Sequence, residues 1–361
     1  MTYLLWALGF AALCAAALAY AYLPTRKKIQ IAFDRRWHRE ARLMSFSREA
    51  ELRAAANPLV ARLHNRSACD VIWYEEDAAP PESLAAGLPY GALVHVHARH
   101  IPLFMDSVLP KLRNPIVLQS GFGTLTTRYP GFERIVESPM ILQWFLEHFE
   151  LDREHLGRVT PLPIGMDFHK LLPDWPGVRA YDQGYPSSAE NQQLTLEAIR
   201  ETIPPIGERP LIAYANFHLT MDVFLKGREA RKRRPARLEA LDQLKGKAHV
   251  RFESRQRARN GVWARHREFA FEVSPRGNGI DCHRTWEALV LKTIPIVKTS
   301  RFDPAYDGLP VAIVEDWDEV TPARMMAWRE KFQDQIDGPL PAKLYSQYWI
   351  EAMRAYGRNR G

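Results

Sequence analysis

The sequence predicts an α/β fold of two domains built on parallel sheets, preceded by a single membrane-spanning helix. Three observations predict it. The chain opens on an uncharged apolar run, Tyr3 to Leu23. From Cys69 onward, short apolar runs alternate with turn residues and with stretches at helical spacing, the rhythm of a parallel sheet. Finally, 361 residues exceed one average domain and suit two.

Composition sets the frame for each element. Hydrophobic residues at 46% and charged residues at 25% are ordinary for a globular chain and argue against disorder. The net charge of +7 and a pI near 9.3 favour anionic partners. Three cysteines, one of them Cys14 inside the apolar run, exclude a disulfide framework; Cys69 and Cys282 can form one bridge, and free thiols in a reducing compartment are the expectation.

Residues 1–24 are the expected membrane anchor. As a helix the run spans roughly 30 Å, a bilayer core, with Trp6, Tyr20 and Tyr22 near its ends as interfacial aromatics and Pro24 to stop it. No basic residue precedes it, as a cleaved signal peptide would require, although small residues from Ala15 to Ala21 would suit a peptidase. Arg26, Lys27 and Lys28 follow, so the positive-inside rule places the rest of the chain in the cytoplasm.

Residues 25–68, rich in Arg, Glu and Ala, read as a helical stem with a solvated or lipid-facing basic surface. Residues 69–185 form the first α/β domain. Strands are expected at Val71–Tyr74, Ala92–Val96 and Ile116–Leu118, an amphipathic helix at Met140–Phe149, and a loop at Gly165-Met166-Asp167. The Pro- and Gly-rich stretch Leu171–Pro186 marks the boundary. Residues 186–335 form the second domain. Its helices carry Leu196, Ile199 and Ile203, Arg237–Lys245, and Val262, His266 and Phe269. Its strands lie at Leu211–Tyr214, Val250–Phe252, Phe271–Val273, Ile294–Val297 and Val311–Val314. Thr321 caps a last long helix with Pro322 at its first position. Residues 336–361 form a terminal aromatic helix that folds back over the domains.

One segment concentrates chemistry. A strand ends at Ser274, a loop carries Gly277 and Gly279, and a helix begins near Thr285. Such a loop turns backbone N–H groups toward a positive helix end, which suits an anion. Arg276 and Arg284 add guanidinium forks for phosphate oxygens. Glu287, expected in the first helical turn, is placed for the hydroxyls of a ribose, though an early-helix carboxylate also serves as a plain dipole partner. Together these describe a nucleotide-diphosphate site at the carboxyl ends of parallel strands.

The stretch Ser-Pro-Arg-Gly-Asn-Gly from Ser274, then Arg284, Trp286-Glu287-Ala288-Leu289 and Ile294-Pro295-Ile296-Val297, resembles the donor-binding segment of exostosin-like glycosyltransferases over about thirty residues. Looser likenesses are Trp144-Phe145 leading to Leu162-Pro163-Ile164-Gly165, and Leu309-Pro310-Val311 with Asp316-Trp317. The resemblance implies a GT-B fold, two Rossmann-like domains facing a cleft. It also implies inverting transfer from a nucleotide sugar to a glycan or lipid-linked acceptor, with no metal and no cofactor beyond the donor. Donor contacts would come from Ser274, Arg276, Gly277, Asn278, Gly279, His283, Arg284 and Glu287, with Arg276 and Arg284 on the diphosphate and Glu287 on the ribose. Asp281-Cys282-His283 departs from the better-known loops of that family.

The catalytic base is sought in the first domain, where His97, His100 and Asp106 follow a strand and are the candidates; structural histidines satisfy the same pattern. The basic run Lys226 to Arg234 is a solvated face or a source of arginines reaching the pyrophosphate. No GxxxxGK[ST], GxSxG or HExxH occurs, and no nucleic-acid module is recognisable. Asp316-Trp317-Asp318 falls after the last strand, where its acids precede a helix cap rather than hold a metal. The competing reading is a membrane-tethered glycan-binding scaffold that keeps the fold without catalysis.

Overall fold

The computed structural model describes residues 58–74, 77–121, 130–168, 189–217, 236–253, 259–277 and 279–358. The expected anchor, most of the stem, the boundary stretch 171–186 and the basic residues 226–235 lie outside them. Among the described residues no helix is long and apolar enough to cross a membrane.

Two five-stranded parallel sheets organise the chain, as the alternating pattern requires. The first holds β1 (Val71–Trp73), β2 (Leu93–His97), β3 (Ile116–Gly121), β4 (Ile141–Glu147) and β5 (Val159–Leu162), paired in chain order. Right-handed crossovers between strands in that order all fall on one face, so the other needs a cover from elsewhere. Helices α2 (Glu82–Ala86) and α3 (Glu133–Val136) lie between its strands in the chain; the terminal helix α9 (Ser346–Arg358) packs against β2, β3 and β4, and the short helix α1 (Arg62–Ser67) packs against α9. Leu59, Val60 and Ala61, expected in the stem, are wholly buried in this half.

Met140–Phe149 is not the expected amphipathic helix. Its apolar residues do recur at helical spacing, yet Ile141 to Glu147 is a strand, β4, between β3 and β5. Both faces of an internal parallel strand are buried, which produces a near-continuous apolar run instead of alternation. The polar members are satisfied inside the sheet: Gln143 Nε2 donates to Thr160 Oγ1 at 2.9 Å, and Trp144 Nε1 to Ser120 Oγ at 2.8 Å.

The second sheet holds β6 (Ala213–Ala215), β7 (Val250–Phe252), β8 (Phe271–Val273), β9 (Ile294–Lys298) and β10 (Ala312–Val314), in spatial order β10-β9-β8-β6-β7. Helices α4 (Ala189–Glu201), α5 (Ala236–Leu244), α6 (Arg259–Arg265), α7 (His283–Val290) and α8 (Pro322–Asp337) accompany it. The expected cap holds: the Thr321 side chain accepts from Arg324 N, with Pro322 at the first turn. This strand order reverses direction between β6 and β8. Open α/β sheets bind ligands in the crevice beyond the strand ends at such a point.

Both sheets belong to one unit, Arg53–Gly361. Helix α7 joins them. Its Trp286, Leu289 and Val290 belong to the apolar cluster that fills the first half, while β8 and β9 on either side of it contribute to the separate core of the second sheet. Fully burying Trp286 is worth roughly 5 kcal/mol of gross transfer energy, so the helix that follows the glycine loop is fixed firmly.

Candidate functional site

The carboxyl ends of the two sheets meet, and the contacts between them define the site. On the second sheet, β6 ends in Asn216 and Phe217, and β8 ends in Ser274 and the loop to Cys282, which precedes α7. Arg284 lies at the switch point. Its Nε donates to Asn216 Oδ1 at 3.0 Å, its Nη1 to the Pro275 carbonyl at 3.4 Å, and its guanidinium lies 5.8 Å from the Phe217 ring centre. These two acceptors and the aromatic face are neutral and leave the guanidinium's charge uncompensated by them, while the Glu272 carboxyl stands 3.7 Å from Nε.

The other sequence-selected residues take different positions. Arg276 reaches across the halves to Glu150, at 3.0 Å. Ser274 is buried, its hydroxyl 2.9 Å from Thr285 Oγ1. Asn278 lies outside the described residues. Glu287 stands in the second turn of α7, since the helix begins at His283, and its Oε2 accepts from Trp263 Nε1 at 3.0 Å. His283 directs Nδ1 at the Gly165 carbonyl, 2.7 Å away, a contact between halves; burial lowers its pKa, and Asp167 nearby raises it.

Both loop glycines are closely approached, and at Gly279 the neighbour is a rigid ring that leaves no room for a side chain. A Cβ at Gly277 would lie 2.8 Å from Nη2 of Arg237, the buried first-turn arginine of α5, whose Nε points at the Arg276 carbonyl. A Cβ at Gly279 would lie 2.2 Å from the His148 ring. The loop is therefore shaped by a guanidinium beneath it and an imidazole from the opposite half.

Asp281 anchors the same loop. Its buried carboxyl accepts from Ile164 N at 2.9 Å, Cys282 N at 2.8 Å and Trp286 Nε1 at 2.8 Å. Burial pushes its pKa up to about 7, against the pull of those N–H donors and Arg62. The departure at positions 281–283 is thus a clasp: two of the three residues bond to the backbone at 164–165.

On the first sheet one row of residues crosses the strand ends. His97 on β2 is in register with Gly121 on β3, and Glu147 ends β4 beside it. A Cβ at Gly121 would lie 2.1 Å from the Glu147 carboxyl carbon. The missing side chain therefore lets that carboxyl lean over β3, the strand next to His97. Arg62 approaches from α1: its Nε lies 3.0 Å from Glu147 Oε2 and its Nη2 2.7 Å from His148 Nε2. A guanidinium only donates, so Nε2 of His148 accepts. Burial first, then Arg62, His283 and Arg276, hold His148 well below the ordinary imidazole range, so it is neutral near pH 7.

Of the first-half candidates, His97 alone stands in this row; its Nδ1 accepts from Arg99 N at 3.2 Å. His100 stacks on Trp73 at 4.7 Å and bonds to the Tyr74 carbonyl at 2.9 Å, a structural pairing. Asp106 sits on the helical run from Ala98 to Lys111, exposed and paired with Arg134 at 2.7 Å. Arg62, Glu147, His148 and Arg237 escaped the sequence reading. The bare Gly121 before them was the available signal for Glu147. Among the described residues no group of three or more His, Cys, Asp or Glu is arranged to hold a metal ion, and Cys69 and Cys282 are free thiols.

No family model matches the sequence, and no curated protein matches it. The exostosin-like resemblance therefore stands on the loop residues alone. Among solved structures, similarity extends to an α1,3-fucosyltransferase with GDP-fucose, at 13% identity over 82% of this chain and 96% of that one, with a TM-score of 0.35. It extends also to the catalytic domain of starch synthase IV from Arabidopsis thaliana bound to ADP and acarbose (11% identity, 74% of this chain and 69% of that one, TM-score 0.28). A third is an α,α-trehalose-phosphate synthase (UDP-forming) from Burkholderia vietnamiensis (14%, 75% and 68%, TM-score 0.31). Scores of this size mark a loose likeness of outline, and the chemistry has to be read from the site's own residues.

Proposed function

We propose that this chain is a GT-B glycosyltransferase of exostosin-like kind, moving a sugar from a nucleotide-diphosphate donor to a glycan or lipid-linked acceptor at a membrane held by residues 1–24. The observation that carries the proposal is the convergence at the β6/β8 switch point. There Arg284 and Arg237 hold the backbone of a glycine loop at the Pro275 and Arg276 carbonyls, Arg276 reaches from that loop to Glu150 of the opposite half, and the opposite sheet presents His97 and Glu147 at its strand ends.

In this reading the three guanidiniums take the diphosphate, Glu287 takes the ribose, and the His97–Glu147 row supplies the base. The acceptor hydroxyl loses its proton to that base as its oxygen attacks the anomeric carbon. The bond from that carbon to the phosphate oxygen breaks, its electron pair staying on the diphosphate, where the arginines stabilise the growing charge. Attack opposite the leaving group inverts the anomeric centre.

The test is release of nucleoside diphosphate from a panel of GDP-, UDP- and ADP-sugars by the full chain in lipid vesicles, with and without added oligosaccharide. The proposal expects turnover with one donor class and its loss in Arg284→Ala. Tight glycan binding with no nucleotide turnover or binding would instead identify a scaffold.

A further inference from the structure

Beneath Arg284 lies a carboxyl group that the proposed mechanism does not use. Glu272, in the middle of β8, is 0% exposed. Its Oε1 is 3.7 Å from Arg284 Nε, too long for a hydrogen bond, and its Oε2 is 3.4 Å from His266 Nε2. Among the described residues neither oxygen has a hydrogen bond of normal geometry, although the Asn216 amide lies close by. A buried ionised carboxylate so poorly served would cost several kcal/mol.

The hydrogen-bond directions around His266 decide where a proton belongs. Thr293 Oγ1 donates to the Leu291 carbonyl at 3.0 Å, so it can only accept from His266 Nδ1, 3.2 Å away. His266 is itself buried beside Arg209, and burial followed by that charge pushes its pKa down to about 3. A neutral imidazole with its proton on Nδ1 presents a bare Nε2 to Glu272. The other charged neighbours of Glu272 do not change the outcome. Burial is the largest influence and raises its pKa well above the carboxylate range; Arg284 opposes it and Glu287 reinforces it. Tyr214 on β6, hydrogen-bonded to Glu253, also has its pKa raised by burial, so it stays neutral.

We propose that Glu272 is a neutral carboxylic acid, its proton directed at His266, which leaves Arg284 without a fixed counter-charge and so available to the donor's diphosphate. An ionised Glu272 would form a buried pair with Arg284 and compete with phosphate for it. Glu272 is then a positioning residue: it shapes the field at Arg284 without touching substrate. The inference rests on the donor-site reading above.

The experiment combines carboxyl-carbon NMR of 13C-glutamate-labelled protein at pH 7 with isothermal titration of GDP, UDP, ADP and pyrophosphate into the wild type and Glu272→Gln. The proposal expects one acid-form glutamate signal that disappears in Glu272→Gln. It also expects nucleotide affinity within about twofold of wild type, because glutamine is the neutral isostere. Should Glu272→Gln not fold, Glu272→Met assigns the same signal. Absence of that signal, or an affinity change of about tenfold or more in Glu272→Gln, overturns the proposal. If none of the four probes binds the wild type, the donor-site reading fails and takes the purpose of Glu272 with it. Nucleotide binding without the acid signal sinks the Glu272 inference alone.

Discussion

Replacing Gly279 by alanine should damage the protein through a residue 131 positions away, His148. The added methyl would lie 2.2 Å from Cε1, 2.3 Å from Nδ1 and 2.7 Å from Nε2 of that ring, against the 3.5–4.0 Å or so of ordinary carbon contact. An imidazole is rigid, and this one is buried, so it has to move by more than about 1 Å. Overpacking of this kind costs about 1–3 kcal/mol. Displacing the ring also breaks its 2.7 Å bond with Arg62, a charge-assisted contact worth about 1.5–3 kcal/mol. The single substitution should therefore destabilise by about 3–5 kcal/mol. His148→Gly removes the ring and also relieves the backbone, since His148 has φ +52°, a left-handed conformation that costs a side chain about 1–2 kcal/mol. In that background Gly279→Ala should be nearly neutral. Urea denaturation of the four proteins yields the cycle, and the expected coupling is about 3–5 kcal/mol. Additivity within about 0.5 kcal/mol would refute the reasoning.

Other outcomes follow from the same geometry. Glu147→Gln should lower kcat by about 10²–10⁴ while leaving donor KM nearly unchanged, the signature of a base that acts only on the acceptor; an unchanged kcat would remove Glu147 from the mechanism. Glu150→Gln frees Arg276 from its 3.0 Å partner and should tighten pyrophosphate binding by about two- to tenfold in titration, whereas weaker binding would mean that the pair itself shapes the site. Asp281 has a folded pKa near 7 against an unfolded value near 3.8, so the folded state holds the extra proton between those values. Stability should fall as pH rises from about 4 to about 7 and level off above. The loss between pH 5 and pH 7 is up to about 3 kcal/mol. Buried neutral His148 works in the opposite sense, losing stability as pH falls below its unfolded value of 6.5. The difference between wild type and Asp281→Asn in urea at pH 5 and pH 8 isolates the Asp281 part; parallel pH profiles would refute it.

The α/β class, most strands of both sheets and the loop from Ser274 are legible in the sequence because their signals are local. A run such as Ile294–Val297 flanked by turn chemistry, or Thr321 followed by Pro322, says the same thing in the chain and in the fold. Legibility fails where burial overrides periodicity. Met140–Phe149 is apolar on every side because β4 is covered on both faces, and helical spacing appeared within it by accident. That misreading hid Glu147 and His148. Arg62 was hidden by composition: an Arg- and Ala-rich stretch reads as a solvated stem, yet Leu59 to Ala61 are buried and a bridge from Ala61 to Gly165 carries Arg62 to the strand ends. The glycines were noticed for their bare amides. Their need for close approach to Arg237 and His148 is a tertiary fact that no spacing contains.

Hydrogen–deuterium exchange with and without a saturating nucleoside diphosphate puts the account to its most direct trial. Binding at the β6/β8 switch point should protect amides at 216–217 and 274–287, and Arg284→Ala should abolish that protection without altering exchange in β1 to β5. Protection confined to other segments, or identical protection in Arg284→Ala, would contradict it.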